Sequence, residues 1–204
     1  MIDDLKINVQ GLLNKEQLGY LKPLYFNSFL NNALWKVYNR YLSELRSSTR
    51  KSNWMLDGKN MADYSEHVQQ CLEHYSFHSD PISSNPDGTY AFPPDLEYVE
   101  DIFVGTTRIE KLDYADFLDL QTNNYAGPSA CNQFCSKVGG SLKVLPTDTG
   151  DISIHYLRRP KTPKWTFQDD DGKAMFDPTA NDFQDIDAPQ SSYDELVSLV
   201  LKQQ

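Results

Sequence analysis

The chain has 204 residues, with 29 Asp and Glu against 19 Lys and Arg and a net charge of −10, which puts its isoelectric point near 4.7. That length fits one domain, or one domain with an appendage, and is enough for a core without metal or disulfide staples. Twelve Tyr, ten Phe and three Trp exclude a wholly disordered chain. The acidity argues against general nucleic-acid binding, because phosphate neutralisation needs a basic footprint.

In chain order, residues 2–13 read as a short helix with Leu5, Val9, Leu12 and Leu13 on one side. Pro23 suits the first turn of a second helix, where its missing N–H is not needed. From there Phe26, Phe29, Leu30, Ala33, Leu34, Val37, Tyr41 and Leu45 recur at helical spacing to about residue 49. Such a helix is about 40 Å long. Residues 47–60 read as a loop, and 61–77 as a third helix antiparallel to the second. Residues 79–88, dense in Ser, Asn, Pro and Gly, mark a boundary between a helical part (1–78) and a strand-rich part (79–204), packed as one compact unit.

Strand candidates follow at 89–92, 96–104 and 107–112, then a turn or two of helix at 114–120. Residues 134–138 and 141–145 flank Gly139-Gly140, which suits a two-residue hairpin. Ile152, Ile154 and Tyr156 alternate with polar neighbours, so a third strand should complete a meander. Ser192 and Glu195 have capping-box spacing ahead of a terminal helix of about ten residues.

The leading Met1-Ile2-Asp3-Asp4 lacks the positive charge of a secretory signal, and no apolar run exceeds three residues, against roughly 20 for a spanning helix. The expectation is synthesis in a cytoplasm, with no membrane. Cys71, Cys131 and Cys135 cannot all pair, which suggests reduced thiols.

Four motifs bear on chemistry. Asn14, Glu16 and Gly19 fall at positions 1, 3 and 6 of a calcium loop, but Leu18 and Tyr25 stand where oxygen ligands are required. His67, Cys71, His74 and His78 share a face if the third helix is continuous, yet four ligands along one straight helix cannot surround zinc tetrahedrally. Cys131 and Cys135 lack the Cys-X-X-Cys spacing. The run Arg158-Arg159-Pro160-Lys161-Thr162-Pro163-Lys164 sets four positive charges in an extended stretch of an acidic chain. It reads as a surface linker or as an arm that docks on an acidic partner. Signatures for phosphate loops, nucleophile elbows, zinc proteases and dinucleotides are lacking, so an enzyme is not expected, nor any cofactor or metal. Asp169-Asp170-Asp171 beside Gly172 reads as a solvated turn.

The segments Asn14-Lys15-Glu16-Gln17-Leu18-Gly19-Tyr20-Leu21, Gly88-Thr89-Tyr90-Ala91-Phe92-Pro93-Pro94-Asp95-Leu96, Val144-Leu145-Pro146 and Ile154-His155-Tyr156-Leu157-Arg158-Arg159-Pro160-Lys161-Thr162-Pro163 resemble virion structural proteins of tailed phages. The likeness is to neck or ring proteins of short-tailed phages, crAss-like gut phages included, and more remotely to the tail tubular protein A type of portal-to-tail adaptor. It implies an α+β chain in which N-terminal antiparallel helices join an antiparallel β-sandwich-like domain with an extended arm and a short C-terminal helix. It also implies a homo-oligomeric ring in the virion, typically of twelve copies, that contacts the portal protein and a neighbouring ring or tail nozzle while DNA passes through its lumen. Arg158, Arg159, Lys161, Lys164 and Trp165 are then the expected partner-docking residues, and Phe29, Val37 and Tyr41 the expected inter-subunit packing residues. The alternative is a non-viral module whose aromatic strands bind a carbohydrate or peptide. A third reading, a metal enzyme built on the His67 to His78 cluster, requires stoichiometric zinc.

Overall fold

A computed structural model of the chain describes residues 1–15, 19–54, 62–122, 127–129, 132–147, 149–170 and 173–203. The fold is α+β and divides into two compact units, one made of residues 1–74 and 160–204, the other of the continuous stretch 75–159. This differs from the division expected at residue 79. The chain leaves the helices four residues sooner and returns to them for its last part.

In the first unit, α1 (Ile2–Lys15) buries Ile2, Leu5, Val9 and Leu13. Leu12, expected on that side, is exposed. Asp3 and Asp4 in the first turn and Lys15 in the last complement the helix dipole, and the Asp185 carboxylate accepts the Ile2 N–H at 2.8 Å. Next, α2 (Pro23–Trp54) buries the stripe Phe26, Leu30, Ala33, Leu34, Val37, Tyr38, Tyr41 and Leu42. It continues through part of the expected loop, and residues 55–61 lie outside the described ones.

The third helix, α3 (Ala62–Glu73), packs on α2 but stops short of residue 77. The C-terminal helix α5 (Tyr193–Leu201) seats Leu196 and Val200 against α1 and α2. The capping box does not form. Ser192 ends a 3-10 turn (Gln190–Ser192) in helical dihedrals, whereas an N-cap side chain acts from extended ones. Glu195 pairs instead with the Arg40 guanidinium through both carboxylate oxygens.

The second unit is a sandwich of two sheets. Strands β1 (Ser76–His78), β2 (Thr89–Ala91), β3 (Leu96–Val104), β4 (Thr107–Arg108), β5 (Glu110–Lys111), β6 (Phe134–Val138), β7 (Ser141–Leu145) and β8 (Ile152–Arg158) form the orders β1-β8-β3-β4 and β2-β7-β6-β5. The helix α4 (Tyr114–Thr122) packs on β6. All pairings are antiparallel except β5 with β6.

The hairpin β6-β7 turns at Gly139 and Gly140, both at positive φ (57° and 86°), as its sequence required. The expected meander does not form. The free edge of β7 is taken by β2, so β8 crosses to the other sheet and pairs with β1 and β3. Residues 76 and 77, expected as the end of the third helix, instead form β1 together with His78, because the three meet Leu157, Tyr156 and His155 of β8 there. Between the sheets lie Tyr90, Val99, Ile102, Ile109, Cys135, Leu142, Val144, Ile152, Ile154 and Tyr156. The Tyr90 hydroxyl donates to the carbonyls of Thr149 and Gly150 and fastens the crossing segment.

A third, two-stranded sheet, β9 (Phe167–Asp170) with β10 (Lys173–Phe176), belongs to the first unit and falls inside the stretch expected as an arm. Asp169 and Asp170 are exposed on it; 171 and 172 lie outside the described residues.

Candidate functional site

The basic run is divided between the units. In the sandwich, Arg158 closes β8 and is buried, its guanidinium 4.9 Å from the centroid of the Phe77 ring. Arg159 is exposed; its Nε donates to Glu97 Oε2 at 2.9 Å, and its backbone N–H to the Asp95 carbonyl at 2.7 Å.

In the helical unit, the Lys161 N–H donates to Asp187 Oδ2 at 2.9 Å, and the other oxygen of Asp187 lies 3.0 Å from His74 Nε2. The Lys161 side chain is exposed. Lys164 ion-pairs with Asp182, whose carboxyl is held below its usual range mainly by that hydrogen bond. The Lys164 backbone bridges to Gln184.

Trp165 is 3% exposed. Its N–H donates to Asn27 Oδ1 (2.9 Å), its carbonyl accepts from Asn27 Nδ2 (3.1 Å), and its indole N–H donates to Asp3 Oδ1 (2.9 Å). Phe167 and Phe176 stack against the ring, and the Lys6 ammonium lies over it. Burial pushes the Lys6 amine down to about 8, against the opposing pull of Asp3. The segment is thus tied to α1 and α2 by its tryptophan, and Arg159, Lys161 and Lys164 are the basic members of the run that are exposed. Exposed ion pairs such as those of Arg159 and Lys164 contribute little because water and salt screen them, so a partner carboxylate can replace Glu97 or Asp182 at small cost.

Of the expected packing residues, Val37 and Tyr41 are covered by this chain's own residues, while Phe29 keeps part of its ring accessible and stacks with the exposed Tyr25 at 6.4 Å. Tyr20 and Leu24 are also exposed near the start of α2. Among the described residues, these side chains, not Val37 and Tyr41, are the accessible apolar ones around the start of that helix.

Cys71 is buried, its sulfur 3.8 Å from Ser191 Oγ. The side chain of His67 lies outside the described residues, and His78 is on β1. Among the described residues no group of three or more His, Cys, Asp or Glu is placed to hold a metal. Residues 14–25 straddle the end of α1 and the start of α2, joined where Gln10 bonds the Gly19 carbonyl and the Leu21 N–H; residues 16–18 lie outside the described ones. Cys131 does too. Its neighbour in the sequence motif, Cys135, faces the sandwich core, where burial raises its thiol to about 12, so it is inert as a nucleophile.

A cavity of about 440 Å³ opens on the sandwich, lined among others by Lys111, Asp113, Tyr114, Asp116, Ser136 and Lys137. Nothing in the sequence reading pointed to it. Lys111 is occupied: its ammonium donates to the carbonyls of Val99 (3.1 Å) and Glu100, and burial lowers its pKa. Compared with known proteins, the chain matches no family model and no curated protein.

Proposed function

We propose that this chain is a structural virion protein of a tailed phage, a subunit of an oligomeric ring in the neck between portal and tail that leaves a channel for the genome. The observation that carries the reading is that one chain holds a helical unit built on a 32-residue helix and a largely antiparallel β-sandwich, the two-part make-up that the sequence resemblance implies.

Charge supports it. The sandwich stretch holds twelve Asp and Glu against six Lys and Arg, and an acidic lumen repels phosphate and lets DNA slide. Exposed Tyr20, Leu24 and Tyr25 give the helical unit an apolar surface for a neighbouring copy, and Arg159, Lys161 and Lys164 give cations for an acidic portal or adjacent ring. The role is structural, without cofactor, and places the protein in the virion.

The alternative, an aromatic strand surface for carbohydrate or peptide, is weaker: Phe77 is the large apolar residue that the sandwich strands chiefly expose. The test mixes the purified chain with the portal encoded in the same genome and images the product. A ring of this chain stacked on the portal is expected, and should be lost when Arg159, Lys161 and Lys164 are replaced by Glu. A chain that neither joins the portal nor occurs in purified particles overturns the reading.

A further inference from the structure

Strands β5 and β6 run side by side for a short distance and then part. Glu110 lies opposite Phe134 and Lys111 opposite Cys135, and the Leu112 N–H still donates to the Cys135 carbonyl at 2.9 Å. Beyond that bond the first chain turns away into α4, where the Phe117 N–H donates to the Asp113 carbonyl, while β6 continues to Val138. The cavity of about 440 Å³ lies in this fork, since Leu112, Asp113 and Asp116 line one side of it and Ser136 and Lys137 the other.

The fork leaves a sheet edge open. Successive residues of a strand turn their backbone groups to alternate neighbours. The carbonyls of Gln133 and Cys135 accept from Glu110 and Leu112, so Ser136 bonds toward β7, and Lys137 faces the fork. Neither the N–H nor the carbonyl of Lys137 has a partner among the described residues. A donor and an acceptor on one strand edge are the pattern that a second extended backbone matches.

The walls of the fork supply the rest. Its floor is apolar: Ile102, Cys135 and Leu142 belong to the core between the sheets, so a side chain that enters there leaves water. The two lysines of the lining are engaged, Lys111 with the carbonyls of Val99 and Glu100, and Lys137 with the Phe92 ring, whose centroid is 5.5 Å from its ammonium. Asp113 and Asp116 are both exposed, and neither carboxylate has an ion-pair or hydrogen-bond partner among the described residues. The charge left to be met is therefore negative.

We infer that the fork between β5 and β6 is a docking site for an extended peptide segment of a partner protein, one in which apolar and basic residues alternate. The segment adds as a short strand beside β6, in the place that β5 gives up. Its backbone exchanges hydrogen bonds with Lys137, and its apolar side chains enter the floor against Ile102 and Leu142. Its basic side chains point the other way, as successive residues of a strand do, and meet Asp113 and Asp116. The cavity is within the usual range of binding sites, about 300–1,000 Å³. A small anion fits it poorly, because two unpaired carboxylates stand in the lining. The proposal depends neither on the neck reading nor on an aromatic strand surface.

The test titrates the isotope-labelled full-length protein with a synthetic heptapeptide, blocked at both ends, in which Val and Arg alternate. Binding should move the amide resonances of Ser136, Lys137 and Leu142, and the Lys137 amide should lose its fast exchange with solvent as peptide is added. The same peptide N-methylated throughout, which cannot donate backbone hydrogen bonds, should not bind, nor should a peptide of alternating Val and Glu. Asp113→Asn combined with Asp116→Asn should weaken binding about fivefold, the scale of two exposed ion pairs. Lys137→Pro, which removes the edge N–H, should abolish it; should that variant lose its fold, the methylated peptide makes the same test on the native protein. A Val–Arg peptide that fails to bind, binds equally well when N-methylated, or binds without slowing exchange at Lys137 would overturn the proposal.

Discussion

The two units are built from the chain in opposite ways. The sandwich uses one unbroken stretch, residues 75–159, whereas the helical unit joins residues 1–74 to a segment that returns only after Arg159. In the sandwich the central pairing, β3 with β8, already spans some fifty residues, but its partners lie within the same stretch. In the helical unit the ties cross most of the chain: Trp165 to Asp3 and Asn27, Asp185 to the start of α1, and Glu195 to Arg40. A helix pair such as α1 and α2 cannot bury a wide apolar stripe alone, and the returning segment supplies the missing wall.

The contrast can be broken most severely by ending the chain at Arg159. The helical unit should then lose most of its helical circular dichroism, while dispersed methyl resonances from Ile102, Ile152 and Ile154 persist in NMR spectra. Simultaneous loss of both signals would show that the units do not fold separately.

Trp165→Ala should come next. It removes a buried indole, its hydrogen bond to Asp3 and its stacking with Phe167 and Phe176, a loss of about 3–5 kcal/mol, read as a denaturant midpoint shift in the helical signal. Ile154→Ala is its counterpart in the sandwich, where the side chain is fully buried. It should cost about 3 kcal/mol and lower the midpoint of the strand resonances before that of the helices.

The smallest effect depends on pH. The folded-state pKa of Lys6, about 8, lies below its unfolded value of 10.5, so between the two the unfolded chain binds more protons and stability from this group rises with pH. Lys6→Met should therefore be more stable than the wild type near pH 7, and its advantage should narrow from pH 8 to 10.5 in parallel melts. A constant gap over that range would mean that the amine is not held low by burial.

The surface of each unit follows the same division. The sandwich presents contacts fixed by strand pairing, such as those that join Ser76, His155 and Glu100 across three strands. The helical unit presents exposed side chains, Tyr25 and Lys164 among them, with weak attachments that a partner can replace.

Local pattern alone determined a good part of this protein. The apolar stripe of α2, the nine residues of β3, the hairpin around Gly139 and Gly140 and the terminal helix all stand where the sequence periodicity puts them, because each is decided by neighbours within a few positions. Tertiary structure decided the rest. Strand β8 changes sheet because β2 occupies the edge it would have used, residues 76–78 become a strand because β8 offers them a partner, and Ser192 fails as a cap because the chain enters α5 through a 3-10 turn. Trp165, legible only as part of a basic run, became a core residue through contacts more than 130 positions away. Ser76, His155 and Glu100 left no motif, since they meet only when three strands pair and a bulge turns one side chain over. Periodicity records which face of an element is apolar; it holds no information about which distant edge is still open to receive it.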